Sequence, residues 1–292
     1  MDVPDLSLLT VARSYLDNVR MRDWGGYIGM AILGYLQGIE TVPQTSAGYI
    51  HFATYLMTVA LYLGFSFSVN NCFDHEGDKL GAKIAINPIA SGRISVSGGI
   101  LFSGLLALAG LTLTWASFGV ASLTIYSIML LLSGAYSTPP LRFKSVPLLD
   151  MASHGLFFGS LIVLYGVVVT MGFNPFTLPI LLSVYNLSLI LELRNQIDDI
   201  EEDTATRIDT TAVSIGYAKA HALFYGLLGL HMGILVYIIN LLGNMALTSL
   251  AVVFFAGVGI YFYKMPNRNR FLLIMERVTP LVYILFLLSL IL

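Results

Sequence analysis

The chain has 292 residues, of which 57% are hydrophobic and 11% charged, with a mean hydropathy of +0.80 and a formal net charge of −2. Soluble domains carry charge on about a quarter of their residues, so this composition excludes an ordinary soluble domain and points to an integral membrane protein in contact with the lipid bilayer. The single cysteine, Cys72, excludes a disulfide framework and any cysteine-cluster metal site.

The N-terminal stretch MDVPDLSLLTVARSYLDNVRMRDW is polar and amphipathic rather than a cleavable signal peptide. A short helix within residues 1–22, lying along the cytoplasmic interface, is the expectation. Nine apolar segments follow that are long enough, or nearly so, to cross a hydrocarbon core of about 20 residues. They run roughly over 23–39, 48–73, 97–116, 119–137, 150–172, 176–194, 218–240, 245–264 and 271–292. The first is the weakest, interrupted by Gly25, Gly26, Gly29 and Gly34, while Pro179 and Pro280 fall inside later segments as kinks beside a cavity or as tolerated membrane prolines. The expected fold is therefore all-α, a multi-pass membrane bundle of nine transmembrane helices forming a single domain over 1–292.

All fifteen Lys and Arg lie on or near alternate loops, whereas IETVPQTSAG, SFGV, GFNPF and NLLGN carry none. The positive-inside rule then places the N-terminus in the cytoplasm and the C-terminus outside.

Two acidic triplets close long apolar stretches. Asn70, Asp74 and Asp78 stand at i, i+4 and i+8 in NNCFDHEGD, and Asn195, Asp199 and Asp203 repeat the spacing in NQIDDIEED. Four-residue steps drift only about 40° around a helix, so each triplet forms a ladder on one face. Both ladders fall on the cytoplasmic side. Carboxylates beside a membrane pocket need a counter-charge, and hard oxygen donors suit Mg2+ carrying a phosphate substrate. The same spacing arises from duplication of a four-helix unit or from convergence on one ligand geometry. Glu76, Glu201 and Glu202 read as solvated loop acids, and His75, His154, His221 and His231 as scattered core or interfacial histidines. Glu192 and Arg194, two apart, do not face each other on a helix.

These residues carry a family resemblance. NNCFDHEGD resembles the NDxxDxxxD motif of the UbiA superfamily of intramembrane prenyltransferases, and NQIDDIEED resembles its second aspartate-rich motif. INPIASGRIS (86–95) and YSTPPLRFK (136–144) resemble two further family segments, in the same order. Asn71 departs from the usual aspartate of the first motif, and Asn87 stands where many members have arginine.

The resemblance implies an enzyme that moves a prenyl group from an isoprenyl diphosphate donor to a lipophilic acceptor, with Mg2+ as cofactor and no nucleic-acid partner. It assigns Asn70, Asp74, Asp78, Asn195, Asp199 and Asp203 to the metal ions, with Asp74, Asp199 and Asn70 as the catalytic core. Arg142, Lys144 and Tyr136 would contact the diphosphate, with Arg22, Lys83 and Arg93 as further candidates. Ionisation of the allylic C–O bond would give a cation shielded by aromatic faces, for which Tyr62, Phe65, Phe67, Phe157, Phe158, Tyr165 and Tyr185 are candidates. The acceptor is left open among an aromatic ring, a prenylated glycerol phosphate and a porphyrin or chlorin; a phosphate-bearing acceptor would call on Arg93, Arg207 or Lys83. The rivals are a cation-coupled transporter, which wants acids near mid-helix, and a cyclase or hydrolase of the same fold.

Overall fold

Apolar runs with few polar interruptions have no option in lipid but helix, because each backbone amide must find its partner within the segment. In the computed structural model, which describes residues 8–39, 43–79, 81–206, 208–265 and 267–291, every regular element is helical. The interfacial segment forms α1 (Leu8–Asn18), and residues 1–7 of that expectation lie outside the described residues. The chain turns left-handed at Arg20 (φ 52°) and enters α2 (Gly25–Gln37). Then come α3 (Ser46–Asp78), capped by the Thr45 hydroxyl, and α4 (Val96–Ser137), capped by Ser95. A span over Leu149–Thr170 follows, built of α5 (Leu149–Gly155), a π turn (Leu156–Ser160) and α6 (Leu161–Thr170). The remainder is α7 (Thr177–Asp198), the short α8 (Ile200–Thr206) and α9 (Thr211–Ile215), and then α10 (Tyr217–Leu241), α11 (Met245–Lys264) and α12 (Arg268–Ile291).

Seven of these helices are long and apolar enough to cross a membrane, against the nine segments expected. Two differences account for the gap. At 13 residues α2 rises only about 20 Å, short of a ~30 Å core. The 42 residues of α4 are not one straight helix, because Gly119 inside it has the non-helical φ 77° and ψ −173°. A Cβ built at Gly110 would collide with the Tyr126 hydroxyl, although 16 residues of straight helix would hold them about 24 Å apart. The segment therefore doubles back at Gly119, which has the φ that only glycine adopts freely.

Glycine also sets how closely the N-terminal helices pack. A Cβ at Gly34 would strike the Val163 backbone, and one at Gly166 would come 2.5 Å from the Tyr35 amide nitrogen, so α2 and α6 touch backbone to backbone. Of the four glycines that weakened the first apolar segment, Gly34 is the packing residue; Gly25, Gly26 and Gly29 have open space. Beneath that contact, buried tyrosines fill the bundle. Tyr55 donates to the Ala31 carbonyl (2.9 Å), Tyr126 to the Thr58 carbonyl (3.0 Å) and Tyr62 to the Phe157 carbonyl in the π turn (2.6 Å). Pro179 occupies the first turn of α7, where no intrahelical bond is lost, while Pro280 lies inside α12.

Candidate active site

The first ladder rides the last turns of α3, which at about 50 Å overshoots the hydrocarbon thickness and carries its acids past it. The second does not sit on one continuous helix: α7 ends at Asp198, and Asp199 (φ −95°, ψ 6°) breaks the path before α8. The four-residue pattern survives, because the Asp199 amide donates to the Asn195 carbonyl (2.9 Å) and the Asp203 amide to the Asp199 carbonyl (2.8 Å). All six ladder residues line one cavity of about 740 Å³.

Cations from two other segments enter that cavity. Lys144 meets Asp74, with the Arg142 guanidinium 3.8 Å from the same oxygen, and Lys83 reaches Asp199 at 3.2 Å and Glu202 at 4.0 Å. Left-handed backbone at Arg142 (φ 35°) folds the 138–148 loop over the ladder ends. Asn87 Nδ2 donates to Asp78 (2.8 Å) and to the Asn71 carbonyl (3.0 Å), while its side-chain Oδ1 accepts from the Ile89 and Ala90 amides. The residue that departs from the family arginine is thus a loop staple tied to the first ladder. Asn71 donates to both oxygens of Asn18, so an aspartate there would face two acceptors.

Burial brings the Lys144 ammonium down to about 8, with Asp203 and Glu192 working against the fall, so it keeps its proton at neutral pH. Lys83 is also depressed by burial, but Asp199, Glu202 and Asp78 outweigh that and leave it above its ordinary value. Burial and then the Asp199 charge push the Asp203 carboxyl up to about 6, against the pull of Lys83 and Thr210.

Below the ladders the wall turns aromatic. Tyr27 stacks on Phe158 (4.6 Å between centroids), Phe158 lies 5.4 Å from Phe67, and Phe157 adjoins Tyr136 at 5.1 Å. The π turn aims Phe157 and Phe158 into the cavity, and Gly159 (φ −125°, ψ −106°) supplies its irregular backbone. Of the aromatic candidates, Phe67, Phe157 and Phe158 line the cavity; Tyr62 and Tyr165 belong to the buried core, and Phe65 and Tyr185 are absent from the lining.

Arg22 and Arg93 are not brought to the cavity. Arg22 is exposed, and the residue at the cavity is Arg20, paired with Asp23 (2.7 Å) and set 5.1 Å over the Phe67 ring. Arg93 is held by Asp17 at 2.6 Å. Arg207 lies outside the described residues. Conversely, the cavity is lined by several residues that spacing did not single out: Tyr27, Asp198, Glu202, and the pair Glu192 and His154. Glu192 had a usable signal, since it precedes Asn195 by one helical turn on the ladder face.

Mg2+ takes one or two carboxylates and completes its shell with substrate phosphates and water. Among the described residues no three His, Cys, Asp or Glu side chains stand close enough to hold an ion together. The oxygen donors on both walls therefore suit an ion shared with a phosphate ligand and do not form a protein-only cage.

The sequence as a whole agrees with this layout. The model of the UbiA prenyltransferase family matches residues 29–275. The chain belongs to that family. As a member it is a prenyltransferase and an integral, multi-pass membrane protein. It is 30% identical over 216 residues to a lycopene elongase/hydratase of Halobacterium salinarum, covering 71% of this chain and 73% of that protein. A probable chloroplastic homogentisate phytyltransferase of Oryza sativa is 28% identical over 64% of this chain and 51% of its own length. Among solved structures, a UbiA homologue from Archaeoglobus fulgidus bound to DMAPP and Mg2+ superposes with a TM-score of 0.73 at 20% identity, over 95% of this chain and 99% of the other.

Proposed function

We propose that this prenyltransferase uses Mg2+ to ionise an isoprenyl diphosphate held between the two ladders and transfers the prenyl group to a carbon acceptor, an aromatic ring or a polyene. The observation that carries the reading is the convergence of both Asn–Asp–Asp ladders on one cavity whose inner wall is aromatic. Asp74 and Asp78 on one side, and Asp199 and Asp203 on the other, with Asn70 and Asn195 as neutral oxygen donors, would hold the ions. Bound there, Mg2+ supplies neutralisation of the leaving diphosphate. Lys144 and Lys83, now paired with ladder carboxylates, and Arg142, 3.8 Å from Asp74 with its Nε unpartnered, are within reach of phosphate oxygens as soon as the ions take those carboxylates over. Tyr27, Phe67, Phe157 and Phe158 present ring faces to the allylic cation and keep water from it.

The cavity's cations argue against a phosphate-bearing acceptor. Lys83, Lys144 and Arg142 face the ladders, Arg20 is paired with Asp23, Arg194 donates to Asn195 (2.8 Å), and Arg93 is held elsewhere by Asp17. Of the cavity's cations only Arg194 has no carboxylate partner among the described residues. The relatives named for lycopene and homogentisate chemistry support a carbon acceptor in the same direction. For topology the reading keeps a single domain with nine crossings, counting α2 and both limbs of α4, and with the N-terminus and cavity mouth cytoplasmic. Support comes from the doubling back at Gly119 and from the loops that carry no Lys or Arg.

The test uses tritiated prenyl diphosphates with purified protein in lipid and three acceptors: homogentisate, lycopene and a prenylated glycerol phosphate. Metal-dependent diphosphate release, abolished by EDTA and by Asp74→Ala or Asp199→Ala, with product on a carbon acceptor, is the expected result. Release unchanged in both variants would remove the assignment, and product only on the glycerol phosphate would remove the acceptor class. Prenol or a cyclised product with every acceptor would make the protein a hydrolase or cyclase.

A further inference from the structure

Two buried carboxylates lie just below the ladders, and their surroundings differ. Asp150 is saturated: it accepts from the Thr211 amide (2.6 Å) and hydroxyl, from Gln196 Nε2 (2.9 Å) and from the Met151 amide (2.7 Å). It clamps the segment after the second ladder and does not line the cavity. Glu192 does line it. Its Oε1 accepts from the Tyr136 hydroxyl (2.8 Å) and Gln196 Nε2 (3.3 Å), whereas Oε2 has only His154 Nε2 at 3.5 Å among the described residues. The His154 ring is held from behind by Ser188 at Nδ1 (3.1 Å) and sits against the Phe157 and Phe158 rings. A cavity-lining carboxylate with no Lys or Arg in contact, one of whose oxygens is met only by an imidazole 3.5 Å away, has acceptor capacity that the fold does not use.

Its depth fits a task distinct from metal binding. Glu192 precedes Asn195 by three residues and Asp199 by seven, so it lies about 5 Å and about 10 Å further into the bundle along α7. That level is the aromatic wall, where the prenyl carbon and the acceptor would meet. We infer that Glu192, positioned by Tyr136 and His154, is the base that takes the acceptor's proton during prenyl transfer, an inference that rests on the prenyl-transfer reading above. The donor C–O bond breaks and its electron pair leaves with the diphosphate. The acceptor's π electrons form the new C–C bond, and the resulting cation loses a proton from carbon to Glu192 Oε2, which restores the π bond. The proton leaves to water through the cavity mouth when diphosphate departs. This step uses no oxidant or further reactant.

Glu192→Gln tests it, assayed with DMAPP, Mg2+ and whichever carbon acceptor the wild type prenylates. The expected variant keeps Mg2+-dependent donor binding and diphosphate release within a few-fold of wild type. Its transfer product falls by roughly 10²–10⁴-fold, the usual range for a lost general base, and prenol takes its place. His154→Gln, which removes only the group behind the base, gives a smaller loss with the same product split. Equal loss of release and transfer in Glu192→Gln, or transfer retained, overturns the inference. If Glu192→Gln no longer binds donor, Glu192→Asp decides, since transfer recovered by a shorter carboxylate supports the base and transfer still absent with donor bound rejects it. A wild type that releases no diphosphate brings down the parent reading, a result distinct from all of these.

Discussion

The first ladder rides one unbroken helix of 33 residues, whereas the second straddles a break between α7 and α8 and depends on other segments for its shape. Asp74 is 20% exposed and meets both Lys144 and Arg142; Asp199 is 42% exposed and meets Lys83, itself half-exposed. Identical spacing thus yields a rigid, already neutralised wall and a looser one. The difference suggests a division of labour in which α3 fixes the position of one phosphate group and the α7–α8 junction adapts to the other. Variants that treat the walls equally, or reverse their ranking, would break that division.

The largest expected effect is at the central acids. Asp74→Ala leaves two cations without their carboxylate and removes a metal donor, so diphosphate release should fall at least about 10³-fold, the loss of a preorganised electrostatic contact and more. Asp199→Ala should fall comparably, but extra Mg2+ should recover part of the Asp199→Ala activity and none of the Asp74→Ala activity, because only the second wall retains freedom to adjust. Equal rescue by metal titration would contradict the division. Next come the cations. Lys144→Met should cost roughly 10² in kcat/KM, whereas Lys83→Met, on an exposed side chain in a screened setting, should cost nearer ten-fold; steady-state release assays rank them.

How far the chain announces this arrangement depends on the interaction range involved. The ladders are legible because they are local: a four-residue repeat is geometry within a helix, and it survives even the break at Asp199. The loop cations Arg142 and Lys144 are legible through their motif. Arg20 is not legible as a cavity residue, because nothing in the composition shows that the chain turns left-handed there and sends that side chain to the cavity. Arg93 reads as a phosphate candidate because Asp17, the partner that holds it, lies 76 residues away. The Glu192–His154 pair comes from different helices and meets only because α5 and α7 pack closely at Gly155, where a Cβ would come 2.7 Å from the Tyr185 ring. The turn inside α4 is local too: the apolar runs 97–116 and 119–137 read as two segments, and Gly119 between them has the positive φ at which the limbs meet.

The clamp that shapes the second wall gives a more moderate test. Thr211→Val removes the hydroxyl donor to Asp150 while leaving the amide bond in place, and it also strips the Leu148 amide of its acceptor (2.7 Å). Loss of buried hydrogen-bond partners should lower stability by about 1–3 kcal/mol and weaken donor affinity several-fold, without altering the Lys144–Asp74 contact. Thermal unfolding in detergent and donor titration measure the two separately. An affinity loss with no change in stability would mean that Thr211 acts on the ligand directly.

The smallest effect near neutral pH, and the sharpest in form, comes from Asp203. An ordinary aspartate titrates near 3.9, and this one is raised to about 6 by burial and by Asp199. A raised acid binds its proton more tightly in the folded protein than in the unfolded chain. Its charged form is therefore a cost to folding above pH 6, relieved as pH falls toward 4, so Asp203 adds no acid lability of its own. Mg2+ must displace that proton. Apparent metal affinity should be flat above about pH 7 and should fall by up to about ten-fold per pH unit below 6, since one proton is exchanged. Asp203→Asn should lose this slope between pH 5 and 6.5 while leaving the Asp74 side of the cavity unchanged. A slope that persists in Asp203→Asn would assign the titration to another group and make the second wall as preformed as the first.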